Sequence, residues 1–143
     1  MTPDEARASL IDLYVATRDS LGGTWTIGSQ TWLGCRLSDG TEGAAFALGA
    51  QRRGQALDAD PKEMAHRVKV QWSALGISSS LFFHDEIAQY ELSFPRFGLG
   101  PAPDGFIVQL SISDGYVGFS GESRCVPGDS YELDVGEIGR TDE

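Results

Sequence analysis

A chain of 143 residues, 41% hydrophobic and 10% aromatic, is long enough for one domain with one sizeable core. Twenty-one acids against eleven bases give a net charge of −10, which excludes a general grip on nucleic acid or on an anionic membrane surface and favours basic partners. No run approaches the roughly 18 apolar residues of a membrane-spanning helix. Met1-Thr2-Pro3-Asp4-Glu5 does not read as a secretory leader, which leaves a cytosolic protein or the mature part of an exported one.

The first predicted helix starts at Thr2-Pro3-Asp4-Glu5, with a capping hydroxyl, a proline in the first turn and a glutamate three residues after the cap. Leu10, Leu13, Tyr14, Thr17 and Leu21 then recur at helical spacing, and Gly22-Gly23 ends the run. Trp25-Thr26-Ile27 reads as a short strand segment before a bend at Gly28-Ser29. Asp39-Gly40 reads as the centre of a two-residue hairpin turn. In that register Leu37 opposes Glu42, Cys35 opposes Ala44 and Leu33 opposes Phe46, so these apolar residues face the core and Trp32, Gly34 and Arg36 face outward. Asp60-Pro61-Lys62-Glu63 opens a second helix with a stripe of Met64, Val68, Trp72 and Leu75, which Gly76 stops.

Two more hairpins follow. A turn at His84-Asp85-Glu86-Ile87 pairs Phe83 with Ala88, Leu81 with Tyr90 and Ser79 with Leu92. A two-residue turn at Asp114-Gly115 pairs Ile112 with Val117, Leu110 with Phe119 and Val108 with Gly121. Between them lies a long Pro/Gly-rich loop, Pro95 to Gly105. The predicted fold is an α+β two-layer sandwich, an antiparallel sheet of about five or six strands in three hairpins with two helices packed on one face. Residues 1–126 form its single domain. Residues 127–143 form an acidic, Gly-interrupted flexible tail, in which six acids stand against Arg140 alone.

Cys35 and Cys125 are the only cysteines. Strand parity places both on the core side, Cys35 with Leu33 and Leu37, Cys125 with Val117 and Phe119. Parity alone allows either a bridge closing a loop of about 90 residues or two buried thiols in a reduced cytosol. Two thiols with two distant histidines lack the clustered spacing of a metal site, and no cofactor motif is present.

An N-terminal helix, the tryptophan of Gly23-Thr24-Trp25 and the cysteine of Leu33-Gly34-Cys35-Arg36-Leu37 open a recognisable series. A central helix ending in Leu75-Gly76-Ile77 and a strand pair closing on Gly121-Glu122-Ser123-Arg124-Cys125 continue it. In this order of features the chain resembles the soluble part of the LppA-like lipoproteins of actinobacteria. The resemblance covers about residues 5 to 126 as architecture, without a long identical run. The leader and the lipid-bearing cysteine of that family are not in this sequence. The resemblance implies an exported, lipid-anchored parent protein in the cell envelope and a Cys35–Cys125 bridge, and it implies no known catalytic activity. Two free cysteines would instead imply the cytoplasm.

Catalytic signals are weak. His66 sits one position off the stripe of the second helix, as a surface residue does, and His84 falls with Asp85 and Glu86 in a predicted turn, where polar residues need no catalytic reason. Gly118-Phe119-Ser120-Gly121-Glu122 misses the nucleophile elbow at its last position and lies on a hairpin. Gly98-Leu99-Gly100 precedes Pro101 and not a helix, so it does not cradle a phosphate. Contact signals are stronger. The outward sheet face is mostly Gly, Ala, Ser and Gln, from which Trp32, Arg36, Phe82 and Tyr116 are expected to stand up as anchors. Phe97 and Leu99, in the long loop, either fold under the sheet or meet a partner, and Arg52-Arg53 is the main basic spot, read as a solvated loop.

The expectation is therefore a non-enzymatic, extracytoplasmic domain that binds a protein partner, in its sharpest form an immunity or inhibitor protein against a basic enzyme or toxin. The alternatives are a carrier of a small apolar ligand between helices and sheet, and a small hydrolase using His84 and nearby carboxylates.

Overall fold

The Thr2 hydroxyl accepts the Glu5 amide (3.2 Å) and the Glu5 carboxylate accepts the Thr2 amide (2.8 Å), a reciprocal cap that starts helix α1, Pro3–Leu21. Asp60 Oδ1 accepts the Glu63 amide (2.9 Å) and starts α2, Pro61–Ala74. The computed structural model describes residues 1–138. Its strands are β1 (Thr26–Arg36), β2 (Glu42–Arg53), β3 (Ser80–His84), β4 (Gln89–Phe94), β5 (Ile107–Ser113), β6 (Tyr116–Glu122) and β7 (Val126–Pro127), and a third helix, α3, spans Ser130–Ile138. All seven strands join one antiparallel sheet in the order β1-β2-β6-β5-β4-β3, with the short β7 on β2. The chain is thus the expected α+β sandwich. α1 lies over β2 and β6, and α2 over β4 and β5. Among the described residues no helix is long and apolar enough to cross a membrane.

The core follows the predicted helix stripes. Leu10, Leu13, Tyr14, Thr17 and Leu21 of α1 and Met64, Val68 and Trp72 of α2 are buried, whereas Leu75, beyond the end of α2, is exposed. They meet Phe46, Leu48, Leu92, Val108, Leu110, Ile112, Val117 and Phe119 from the inner sheet face. The Asp114-Gly115 hairpin has the expected register, Ile112 opposite Val117 and Leu110 opposite Phe119, with Gly115 at φ +74. The β3–β4 hairpin slips by one residue on each strand. Its turn is a 3₁₀ turn over Asp85–Ile87 closed by Ala88 at positive φ, so Phe83 meets Tyr90 and Leu81 meets Leu92. An even slip preserves the faces.

The first hairpin slips by one residue in total, and that inverts β1. Asp39-Gly40 is not a two-residue turn. The Gly40 amide bonds Leu37 O and the Leu37 amide bonds Thr41 O (2.9 Å each), with Gly40 at φ +86. This is a three-residue loop ending in a bulge that takes the extra residue. Asp39 accepts both the hydroxyl and the amide of Thr41, which hold its carboxyl below the usual range. Arg36 therefore opposes Glu42, Cys35 opposes Gly43 and Trp32 opposes Phe46. Trp32, expected outward, is a core residue at 5% exposure, its ring 5.3 Å from that of Phe46, and Leu33 is exposed in its place. Thr26-Ile27 of the expected Trp25–Ile27 segment joins β1, with a second bulge between Ile27 and Ser29.

The inversion turns Cys35 outward, and a separate one-residue shift in the pairing with β2, from Ala47–Glu122 to Ala44–Val126, does the same for Cys125. Cys35 and Cys125 form a disulfide, Cα–Cα 6.0 Å. By parity with Trp32 on β1 and with Val126 on β7, the bridge lies on the sheet face away from the helices and not in the core. Gly43 makes room for it, since a Cβ there would stand 2.9 Å from Cys125 Sγ and 2.7 Å from Val126 O.

The acidic segment after residue 126 is not a flexible tail as far as it is described. Asp129 Oδ1 accepts the amides of Tyr131 and Glu132 and caps α3. The helix then docks along β1. Asp134 accepts the Trp32 amide and the Thr31 hydroxyl (2.9 Å each), and Glu137 takes a two-pronged ion pair from Arg7 of α1 (2.8 and 2.9 Å) and the Trp32 indole N–H. Arg7 and Glu137 are both buried. Acids that looked like a solvated run are consumed by specific partners on α1 and β1. Residues 139–143, the remainder of the expected tail, lie outside the described residues.

Candidate functional site

Across the outer face the strand register lays out two polar rows. One runs Phe82, Glu91, Ser111, Gly118, Gln51 and the other Ser80, Ser93, Gln109, Ser120, Gly49, Ser29. Glycine and serine in the middle of these rows leave a shallow groove of about 330 Å³, floored by Gly49 and Gly118. Tyr116, expected to stand up as an anchor, lies down on this floor with its hydroxyl over Gly118, where no side chain obstructs it. The Arg53 guanidinium sits 5.4 Å from its ring centroid.

At the β3 end of the face, aromatic side chains gather. Phe97, from the long loop, stacks on Phe82 with centroids 5.0 Å apart and planes at 16°. His84 packs on both rings, 4.8 Å from Phe82 and 5.1 Å from Phe97. Its Nε2 lies 3.1 Å from Glu91 Oε1, whose side chain comes from the neighbouring strand. His84 is therefore the last residue of β3, half-buried and partnered, rather than a turn-tip residue. The other carboxylate oxygen, Glu91 Oε2, is buried without a partner among the described residues. Phe82 and Phe97 remain 45% and 42% exposed and Leu99 72% exposed, so the loop residues do not fold under the sheet.

Of the anchors expected from the sequence, the structure brings Phe82 and Phe97 together and keeps Leu99 exposed on the same loop. Trp32 belongs to the core. Arg36, at the end of the inverted strand, is exposed and donates to Gly40 O (2.9 Å), far along the sheet from Phe82. Arg52 is no solvated loop residue. Its buried guanidinium donates to Leu21 O, Gly22 O and Ala56 O (2.7–2.9 Å) and closes the C-terminal end of α1. Sequence reasoning missed His84 and Glu91 as members of the cluster. Their membership shows once the turn is moved one residue later, which puts His84 and Phe82 on one face.

A second concavity, of about 500 Å³, lies on the helix side, where Leu13 and Ala16 of α1 face Leu75, Ile77 and Phe106. Among the described residues no three His, Cys, Asp or Glu side chains are grouped so as to hold a metal ion.

No family model matches this chain, and no curated protein matches it. Among solved structures it is similar to the crystal structure of a DUF4853 family protein from Actinomyces odontolyticus, with a TM-score of 0.55 at 13% identity. The match covers 82% of this chain and 62% of that one. At that identity the likeness is one of fold: the chain spans less than two thirds of a neighbour built on the same α+β sheet.

Proposed function

We propose that this chain is a non-enzymatic, extracytoplasmic binding domain that engages a protein partner through its outer sheet face. The observation that carries the reading is the exposed aromatic cluster Phe82–His84–Phe97, with Leu99 beside it, standing next to a low polar groove. Large apolar side chains exposed together beside small ones are the usual composition of a contact anchor. The Cys35–Cys125 bridge supports an oxidising compartment, and the resemblance to LppA-like lipoproteins supports a lipid-anchored parent in the cell envelope. The charge of −10 favours a basic partner by steering its approach, and an immunity or inhibitor protein against a basic enzyme or toxin is the sharpest form of the reading. The test is capture from envelope extracts by the wild-type domain and by a Phe82→Ala/Phe97→Ala variant, followed by affinity measurement on the captured protein. Affinity should fall at least tenfold, about 1.4 kcal/mol or more, with the circular dichroism spectrum unchanged. Equal capture by both forms would place the contact elsewhere.

A second reading, a carrier of a small apolar ligand, is favoured only by the apolar groove between Leu13 and Phe106. Saturable binding of a fluorescent fatty-acid probe that Ala16→Trp abolishes would support it over the first. A hydrolase centred on His84 has the Glu91 contact in its favour, but among the described residues no serine or cysteine hydrogen-bonds His84.

A further inference from the structure

The two edges of the sheet differ. The β1 edge is covered by α3, and the Asp134 side chain takes the Trp32 amide there. β3 pairs with β4 on one side, and no described strand or helix pairs with its other side. Edge strands left open are normally blunted by proline, lysine or a bulge. Ser80-Leu81-Phe82-Phe83-His84 has none of these and exposes two phenylalanines, Phe82 outward and Phe83, at 41%, on the helix side.

We infer that two copies of this chain associate edge to edge through β3, in antiparallel register about Phe82, into one continuous sheet. The strand is self-complementary in that register. Phe82 of one copy meets Phe82 of the other on the outer face and joins the two Phe82–Phe97 stacks. On the helix side Leu81 of each copy meets Phe83 of the other, and on the outer face Ser80 meets His84. The Phe82–Phe82 contact lies on the axis and every other contact occurs twice, as an isologous two-fold interface requires. The charges match as well. Arg96 lines a small cavity with Ser80 and Phe82 at the start of β3, is exposed and has no ion pair among the described residues. Asp85 and Glu86 follow the end of β3 and are also exposed. Antiparallel pairing brings each Arg96 toward the other copy's Asp85 and Glu86. Two local pairs of opposite charge thus oppose the repulsion between two chains of −10, most of which is screened beyond roughly 8 Å at physiological salt. Strand addition leaves the polar groove uncovered but shares the Phe82–Phe97 stack with the protein-binding reading, and the two are told apart because self-association is read on the purified chain alone.

The experiment is sedimentation equilibrium of the purified chain from about 10 µM to about 1 mM, where even a pairing of roughly millimolar dissociation constant is half formed. The weight-average mass should climb from one chain toward two. Phe82→Lys sets two lysines against each other at the axis and should leave one chain at every concentration, with an unchanged melting curve because the residue is exposed. Arg96→Glu should weaken the pairing at least tenfold, and adding Asp85→Arg and Glu86→Arg to it should restore it. A chain that stays monomeric to about 1 mM, a dimer indifferent to Phe82→Lys, or a charge swap that fails to restore pairing overturns the inference.

Discussion

Replacing Cys35 and Cys125 together by alanine should cost about 3 kcal/mol of stability while leaving the folded structure nearly unchanged. The two residues are 90 apart in sequence. Opening a loop of that length widens the unfolded ensemble by roughly 4.6 kcal/mol at 25 °C in the chain-entropy model, and measured losses fall closer to 2–4 kcal/mol. The folded state loses little else. β7 still pairs with β2 through Val126 and Ala44, and the Cys125 amide still bonds Asp104 O (2.8 Å). Urea unfolding at 25 °C measures the loss, with a steeper denaturant slope expected because the uncrosslinked chain exposes more surface. The melting midpoint should drop by roughly 10 °C. Gly43 supplies an internal control. Gly43→Ala presses on both Cys125 Sγ and Val126 O, and with the bridge removed one of those two collisions is relieved. The penalty of Gly43→Ala should therefore be smaller in the alanine background than in the bridged protein. A loss below about 1 kcal/mol on removing the bridge, or an equal Gly43→Ala penalty in both backgrounds, would refute the reasoning.

Trp32→Ala should destabilise by about 3–5 kcal/mol as a core truncation and Phe82→Ala by about 0.5 kcal/mol or less as a surface one, both read by denaturant unfolding. The reverse order would mean that β1 faces the other way. Arg7→Met strands the Glu137 carboxylate in its buried site and should cost about 3–5 kcal/mol, with hydrogen exchange at the Trp32 amide rising as α3 lets go. Asp39 should titrate below the ordinary carboxylate range by carbon NMR, and Thr41→Val should bring it back up. Because its folded value is lowered, its contribution to the turn is present above the unfolded value and lost as pH falls through the folded one.

Local chemistry was legible where it acts within a few residues. The caps at Thr2 and Asp60 and the Asp114-Gly115 register depend on side chains reaching three residues along or on a turn that glycine permits, and they stand as read. The first hairpin failed for a reason equally local. Asp-Gly serves both a two-residue turn and a three-residue loop with a bulge, and the choice shifts the pairing by one, an odd number that turns Trp32 inward and Cys35 outward. Apolar alternation did not arbitrate, because Leu33 and Leu37 offered as good a core face as Trp32. α3 had a signal, Asp129 ahead of Ser130-Tyr131-Glu132 as a cap. Its acids read as solvated because their partners, Trp32 and Arg7, lie between 102 and 130 residues away. Arg52 was misread in the same way, since carbonyls at the end of α1 are not visible from its own neighbourhood.

The unequal treatment of the two sheet edges bears on where function sits. Covering β1 takes a whole helix, a buried ion pair and a carboxylate aimed at a backbone amide. A buried ion pair stabilises less than its geometry suggests, since desolvation offsets much of the attraction, so α3 does more to close that edge than to strengthen the core. Among the described residues the β3 edge carries no such cover, and the aromatic cluster gathers on the face beside it. The Phe82–His84–Phe97 cluster and the open strand lie at the end of the sheet away from α3, whereas the groove runs over β1, β2, β6 and β5. The end of the sheet near Cys35 is cross-linked and the β1 edge is capped, so both are held stiff. The β3 side keeps its backbone groups and large side chains available, which is the arrangement expected of a rigid scaffold that presents one edge and the adjoining face to other molecules.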